Sequence, residues 1–353
     1  MSRIVPVAVT FLAVATVGIV AWAVLLIPGT ILGSEPSTDL GPTPVEGSVV
    51  VPIEAGESAR RIAEDLEDAG VIESARLFRV LVAFMGVEDE LLSGDYEFDK
   101  GMVTLTVIDR IHTGITAPVM VTIPEGLRIE EIADLLDEKG LLKAEDFIAA
   151  AEKTDYDFAF LEDLGEGTDL NGYLFPATYG FSRTVSGEDA VRQMLKAFDE
   201  KVPPTVQVEL PTSGLTLHQL VTLASIVERE AMKPEERPLI ASVFINRLKL
   251  GIPLQADPTV QFAVAADPKS VVEYGYWKKE LSMADLQLES SYNTYVNPGL
   301  PPGPIACPGL DSVMAVLRPA RTNYLFFVAK EDGSHVFAET MEEHLQNIER
   351  YQP

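Results

Sequence analysis

Apolar and polar positions change period several times along this chain, and each change marks an element. The first is an unbroken apolar run, Ile4 to Ile27 (IVPVAVTFLAVATVGIVAWAVLLI), with no charge in it. It exceeds the roughly 20 residues needed to cross a bilayer as a helix. Arg3 precedes it, and the first charges after it are Glu35 and Asp39. Positive-inside reasoning therefore puts the N-terminus in the cytoplasm and the rest of the chain outside. A cleaved signal peptide is the rival reading. The run is too long for a typical signal core of about 7–15 residues, and no A-x-A site follows, so a retained anchor is expected over residues 1–27. Residues 28–47 carry four prolines and no periodicity, as an extended tether does.

Beyond the tether the pattern repeats. VVVPIEAGESARRIAEDLEDAGVIESARLF from Val49 matches VMVTIPEGLRIEEIADLLDEKGLLKAEDFI from Val119, seventy positions on. Gly56 pairs with Gly126, Ile62 with Ile132, Ala63 with Ala133, Leu66 with Leu136 and Gly70 with Gly140. Each copy reads as a short strand, a turn at glycine, and an amphipathic helix ended by a second glycine. Between the copies, LSGDYEFDKGMVTLTVIDRIHTG predicts a strand, a turn at Lys100-Gly101 and a helix. A small α+β module is expected over 48–157, of a size that fits binding better than catalysis.

A larger α+β region follows over 158–353. Periodicity predicts helices near 186–201, 216–232 and 235–250, and YLFFVAK-EDG-SHVFAE predicts a β-hairpin turning at Asp332-Gly333. A last helix starts at Thr340, which has the T-x-x-E spacing of a capping box with Glu343.

The helix near 216–232 carries the candidate chemistry. Thr216 and Gln219 have the spacing of a capping box, so the helix begins at Leu217. At 100° per residue, Leu217, Leu220, Val221, Ala224, Val227 and Ala231 form an apolar stripe, and Glu228 lies inside it. Glu230 points roughly 200° away and is explained as a surface residue. A carboxylate on an apolar face costs several kcal/mol if it is charged and unpaired. Three explanations of Glu228 stay open: an ion pair with an arginine such as Arg229, Arg237 or Arg247; a helix that ends early; or a cleft wall that raises its pKa and makes it a general acid.

Composition narrows the partners. With 27 basic and 54 acidic residues the net charge is −27, and no Lys/Arg cluster appears, which argues against nucleic acid. Cys307 is the single cysteine, so no intramolecular disulfide forms, and the redox compartment stays open. His112, His218, His335 and His344 lack paired ligand spacing. No metal or cofactor is expected.

Longer motifs add a resemblance. LASIVEREA, ASVFINRLKLGIPLQADPTVQF, YNTYVNPGLPPGPIACPGLDSV, YLFFVAKEDGSHVF and NGYLFPATYGF (Asn171 to Phe181) resemble the endolytic murein transglycosylases of the YceG-like family. The similarity covers most of the chain, and in that family the module before the catalytic domain is LysM-like. The resemblance implies cleavage of the MurNAc–GlcNAc β-1,4 bond inside peptidoglycan strands, leaving 1,6-anhydro-MurNAc ends. It also implies termination of nascent strands at the cytoplasmic membrane, near peptidoglycan synthases or division and elongation proteins. One carboxyl group serves as acid and then base, and the resemblance puts that role on Glu228. It puts Gln255, Asp257, Thr259, Tyr292, Asn293, Thr294 and Tyr295 along the sugar groove, with 255–259 in a loop entering a short strand. Asp257 before Pro258 also reads as a turn former, and YNTY as a loop whose aromatics merely pack. NPGLPPGPIACPG reads equally as a groove edge or a rigid connector. Asn171 and Ala177 stand where the family often has acidic residues, which weakens any carboxylate role there. Two other functions remain: a non-catalytic scaffold that binds peptidoglycan, or a hydrolase using Glu228 with Asp257.

Overall fold

The computed structural model describes residues 47–352 apart from 115, 116, 163, 165–167 and 203, so the expected anchor and nearly all of the tether lie outside the described residues. Among the described residues no helix is long and apolar enough to cross a membrane.

The repeat is real in three dimensions. The first copy runs β1 (Ser48–Ile53), α1 (Ala59–Asp68), α2 (Ala75–Met85), β2 (Gly94–Asp99) and α3 (Thr104–Thr113). The second runs β3 (Val119–Thr122), α4 (Ile129–Glu138), α5 (Ala144–Ala151), β4 (Thr178–Phe181) and α6 (Gly187–Lys201). In each copy the first strand pairs antiparallel with the second, Ser48 opposite Asp99 and Val119 opposite Phe181. The turn glycines Gly56 and Gly126 share φ +79°, a left-handed value at which a side chain is strained. The helix ends match as well: Val71 N–H donates to Leu66 O at 2.9 Å, and Leu141 N–H to Leu136 O at 3.1 Å. Ile62, Ala63 and Leu66 are buried in one copy, and Ile132, Ala133 and Leu136 in the other.

Each copy holds a second helix that the glycine-to-glycine pattern did not separate from its surroundings. The second copy also closes beyond residue 157. Its strand β4 arrives at 178–181, and its core continues through Phe198 and takes in Val221 and Cys307. It is therefore packed into the larger region. The first copy keeps a core of its own, between Val51 and Ile111.

The remainder contains α7 (Pro204–Ser213), α8 (Leu217–Glu230), α9 (Arg237–Leu250), α10 (Asp257–Val264), α11 (Pro268–Tyr274), α12 (Met283–Leu286), α13 (Leu310–Leu317), the hairpin β5 (Phe326–Ala329) and β6 (His335–Ala338), and α14 (Met341–Tyr351). The mixed helix-and-sheet class and the helices expected at 186–201, 216–232 and 235–250 are present. Both expected capping boxes form: Thr216 with Gln219, and Thr340 with Glu343. The expected strand after Asp257 is instead α10, with Pro258 in its first turn, where a missing N–H costs nothing.

The central helix α8 departs most from its expected surroundings. Every residue from Leu220 to Val227, including Thr222 and Ser225, is buried. A helix buried all round is not oriented by one apolar stripe. α9, α10 and α13 pack against it, and Val221 also enters the core of the second repeat copy.

Candidate active site

Successive residues at the end of α8 diverge by about 100° each, so Glu228, Arg229 and Glu230 leave toward three different neighbours. Glu228 meets the start of α9: Arg237 Nη2 donates to its Oε1 at 3.0 Å. Its Oε2 accepts the backbone N–H of Gly309, the N-cap of α13, also at 3.0 Å. Both side chains are nearly buried, 7% and 10% exposed. Arg237 also faces Glu125 at 3.5 Å and Asp311 at 3.8 Å. A Cβ at Gly309 would displace the half-exposed Glu125 carboxylate, whose Oε1 lies 2.0 Å from that position. The ion pair considered for Glu228 therefore exists, and it ties α8 to α9 and α13.

Arg229 reaches the second repeat copy. Its Nη1 donates to Gly126 O at 3.1 Å, and its guanidinium lies 3.8 Å from the Trp277 ring centroid. Trp277 Nε1 in turn donates to Glu131 of α4 at 2.9 Å.

Glu230 enters a cavity of about 380 Å3 shared with Arg247, Gln255, Asp257, Tyr295 and His335. Glu228 does not line this cavity. The expectation that Glu230 is a surface residue is corrected here. Glu230 is only partly exposed, and the side opposite Glu228 faces a cavity walled by α10 and the hairpin instead of an open surface. Burial, and then the negative charge of Asp257, push the Glu230 carboxyl up to about 8. At neutral pH it holds its proton.

The cavity wall is built from contacts that local pattern does not reveal. Arg247, on α9, is 8% exposed. It donates through Nε to Leu325 O at 2.6 Å and through Nη1 to Leu254 O at 2.9 Å. The same Nη1 lies 3.4 Å from Gln255 Oε1. Gln255 is the one non-glycine residue with positive φ, +50°, among the described residues. Such strain persists only where the surroundings hold it. Here Gln255 N–H donates to Thr294 O at 3.1 Å, and Ala256 N–H to Thr294 Oγ1 at 3.0 Å. Thr259 and Thr294 hydroxyls lie 2.8 Å apart, fully buried. Tyr295 OH donates to Asp257 Oδ1 at 2.6 Å, holding that carboxylate at the N-terminus of α10. His335 Nδ1 pairs with Glu236 Oε2 at 2.7 Å.

The eight residues expected at the site thus divide. Gln255, Asp257 and Tyr295 line the cavity. Thr259, Asn293 and Thr294 are buried and bonded inward, Asn293 through Nδ2 to Leu286 O and Leu288 O. They position the loop and offer nothing to a ligand. Tyr292 packs its ring against Phe262, 4.7 Å between centroids. Glu228 is paired with Arg237. Glu230 and Arg247 are the cavity residues that helical phase passed over. The sequence suggests Arg247 only as a partner for Glu228, a place that Arg237 takes instead.

The proline-rich loop braces this arrangement. Ile305 N–H donates to Ser225 Oγ of α8 at 3.0 Å, and Cys307 N–H to Leu127 O at 2.7 Å. Cys307 is fully buried, and burial pushes its thiol up to about 12, so it is inert packing. Asn171 Oδ1 accepts Ile129 N–H at 3.1 Å, a helix-start contact that the amide makes without charge.

Comparison with known proteins covers the same span as this architecture. The chain is 35% identical over 317 residues to an endolytic murein transglycosylase of Bacillus subtilis, covering 86% of this chain and 85% of the relative. It is 31% identical to the enzyme of that name from Streptococcus pneumoniae, of which it spans 58% of the length. Among solved structures, a putative YceG-like protein of Listeria monocytogenes matches with a TM-score of 0.57 at 35% identity, over 86% of this chain and 99% of that one. The profile of the YceG-like family runs from residue 51 to 350, through both repeat copies, the Glu230 cavity and the last helix. This chain belongs to the YceG-like family.

Proposed function

We propose that this protein is an endolytic murein transglycosylase in which Glu230, not Glu228, is the carboxyl group that acts as acid and then base. The observation that carries the reading is Glu230 lining a cavity with Asp257, Tyr295, Arg247 and Gln255, where burial and the Asp257 charge push its carboxyl up to about 8. The relatives named as endolytic murein transglycosylases support the substrate class.

A glycosidic bond at this wall breaks as Glu230 gives its proton to the departing oxygen. The resulting carboxylate then takes the proton of the MurNAc C6 hydroxyl as O6 bonds to C1. The product is a 1,6-anhydro end, the glutamate regains its proton, and no water is consumed. A group with a pKa near 8 suits both halves of this cycle, being protonated at rest and basic enough to recover the proton. Asp257 favours a second reading, hydrolysis, because two carboxyl groups in one cavity are what glycoside hydrolases use.

The same proposal keeps residues 4–27 as an anchor in the cytoplasmic membrane, with the catalytic region outside. It reads the first repeat copy as a LysM-like glycan-binding module, and termination of nascent strands as the outcome, with cell-wall synthases or division and elongation proteins nearby.

The test is mass spectrometry of isolated glycan strands digested by the purified protein. Anhydro ends from wild type, reduced about 100-fold or more by Glu230→Gln, are expected. Undiminished cleavage by Glu230→Gln would overturn the assignment. Reducing ends would establish hydrolysis, and binding without any cleavage would leave a scaffold.

A further inference from the structure

The two repeat copies share a fold but differ on the outer face of their second helix. In α5 the outward residues are Glu145, Asp146 and Ala149, and α6 packs closely at its start. A Cβ on Gly187 would lie 2.4 Å from Asp146 O. In α2 the outward residues are Arg76, Leu77, Arg79, Val80, Phe84 and Met85. Phe84 is 87% exposed, Val80 58% and Leu77 48%. The opposite face buries Phe78 and Val82 in the core of the first copy, so α2 is apolar on both sides. A helix apolar all round is normally covered all round. Leu77, Val80 and Phe84 follow i, i+3, i+7 spacing and form one contiguous stripe.

The charge on this helix is of one sign. The protein has 54 acidic residues among 353, yet none from Ser74 to Val87. The only charges there are Arg76 and Arg79, both exposed beside the apolar stripe. Arginine next to exposed Phe and Leu is the composition of a helix lying in a lipid interface, where guanidinium groups reach phosphates while the apolar chains enter the acyl boundary. Glu88, Asp89 and Glu90 follow at once and are exposed, which limits insertion to the helix face.

Chain connection names the occupant. The uncharged apolar run ends at Ile27, and twenty residues, 28–47, separate it from β1 of this same copy. A tether of that length has a root-mean-square span of about 25 Å as a flexible coil, and about 60 Å if fully extended as polyproline II. With that run read as an anchor, a tether of this length would keep the adjacent copy within reach of the bilayer. The copy far from the tether in sequence has an acidic version of the face, with Glu145 and Asp146 where α2 has Arg and Leu.

We propose that the exposed face of α2 docks on the phospholipid surface of the membrane that holds residues 4–27, fixing the first repeat copy against the bilayer. This rests on the anchor reading of that run. Spin labelling of the full-length protein in vesicles of phosphatidylglycerol and phosphatidylethanolamine tests it. Cys307 is fully buried and stays unlabelled, so Phe84→Cys gives a single site, and Val272→Cys, 89% exposed in the native chain, a control. A nitroxide at Phe84 is expected to lose access to a polar nickel chelate and gain access to oxygen, while the Val272 label stays open to the chelate. Equal chelate access at both sites would overturn the proposal. A Phe84 label closed to both relaxants, with short label–label distances, would also overturn it in favour of a second copy of the chain. Carbonate extraction checks the anchor separately. Release of a protein whose Phe84 label was lipid-exposed would sink the anchor and leave the docking face standing.

Discussion

Glu230→Gln is also a stability experiment, and its sign follows from the direction of the pKa shift. In the unfolded chain this carboxyl ionises near its ordinary 4.5, and in the folded protein it ionises near 8. Between those values the unfolded state binds fewer protons than the native state, so stability falls as pH rises through the window. Stability from this group is fully present below pH 4.5 and lost by about pH 8. At 1.36 kcal/mol per pH unit the whole window amounts to on the order of 5 kcal/mol, of which roughly 3 is gone by pH 7. Glutamine keeps the shape and hydrogen-bonding capacity and has no proton to lose. Urea melts of wild type and Glu230→Gln at intervals from pH 4.5 to 9 measure the difference. The variant is expected to match wild type at the acid end and to exceed it increasingly toward pH 8, with a ceiling near that 5 kcal/mol. A difference that does not change with pH would mean that Glu230 ionises normally in the folded protein. The cavity would then not hold a proton donor, and the acid step assigned to it would fail. A variant both more stable and inactive is what a site that stores strain for function predicts.

Other perturbations test neighbouring parts of the argument. Asp257→Asn removes the negative charge that adds to burial, so the pH at which cleavage is lost on the alkaline side should move down, read from a pH–rate profile. Unchanged position of that limb would separate Asp257 from Glu230. Glu228→Gln breaks the nearly buried pair with Arg237 and should cost about 3 kcal/mol in a urea melt, toward the low end for such pairs because Glu125 and Asp311 stay near the guanidinium. Its cleavage per folded molecule should persist. A stable, folded and inactive Glu228→Gln would return the chemistry to that residue. Gly172→Ala meets Pro304 at 2.6 Å and Val221 at 2.8 Å with φ at +86°, so a loss of about 2 kcal/mol or more is expected from thermal melts.

Much of the architecture was legible because it is local. Capping boxes at Thr216 and Thr340 join residues three apart, and the structure closes both. The seventy-residue repeat was visible because turn glycines and buried helix positions are constrained by the backbone around them. The same localness set the limits. The second copy's closing strand lies 56 residues beyond its partner Thr122, at Thr178, so no neighbouring pattern could announce it. Asp257-Pro258 marks a turn or a helix start equally well, and packing of α10 against α8 selected the helix.

The site shows the division most clearly. From the sequence alone it follows that Glu228 and Glu230 face different ways, since that angle depends only on helical geometry. The wider resemblance to murein transglycosylases was likewise carried by contiguous motifs. Which glutamate meets the cavity was decided by the tertiary structure. α8 is buried on every side from Leu220 to Val227, and an apolar stripe orients a helix only when the remaining face is water. Arg237 and the Gly309 amide, 9 and 81 positions from Glu228, claim one carboxylate. Asp257 and Arg247, brought in by α10 and α9, surround the other.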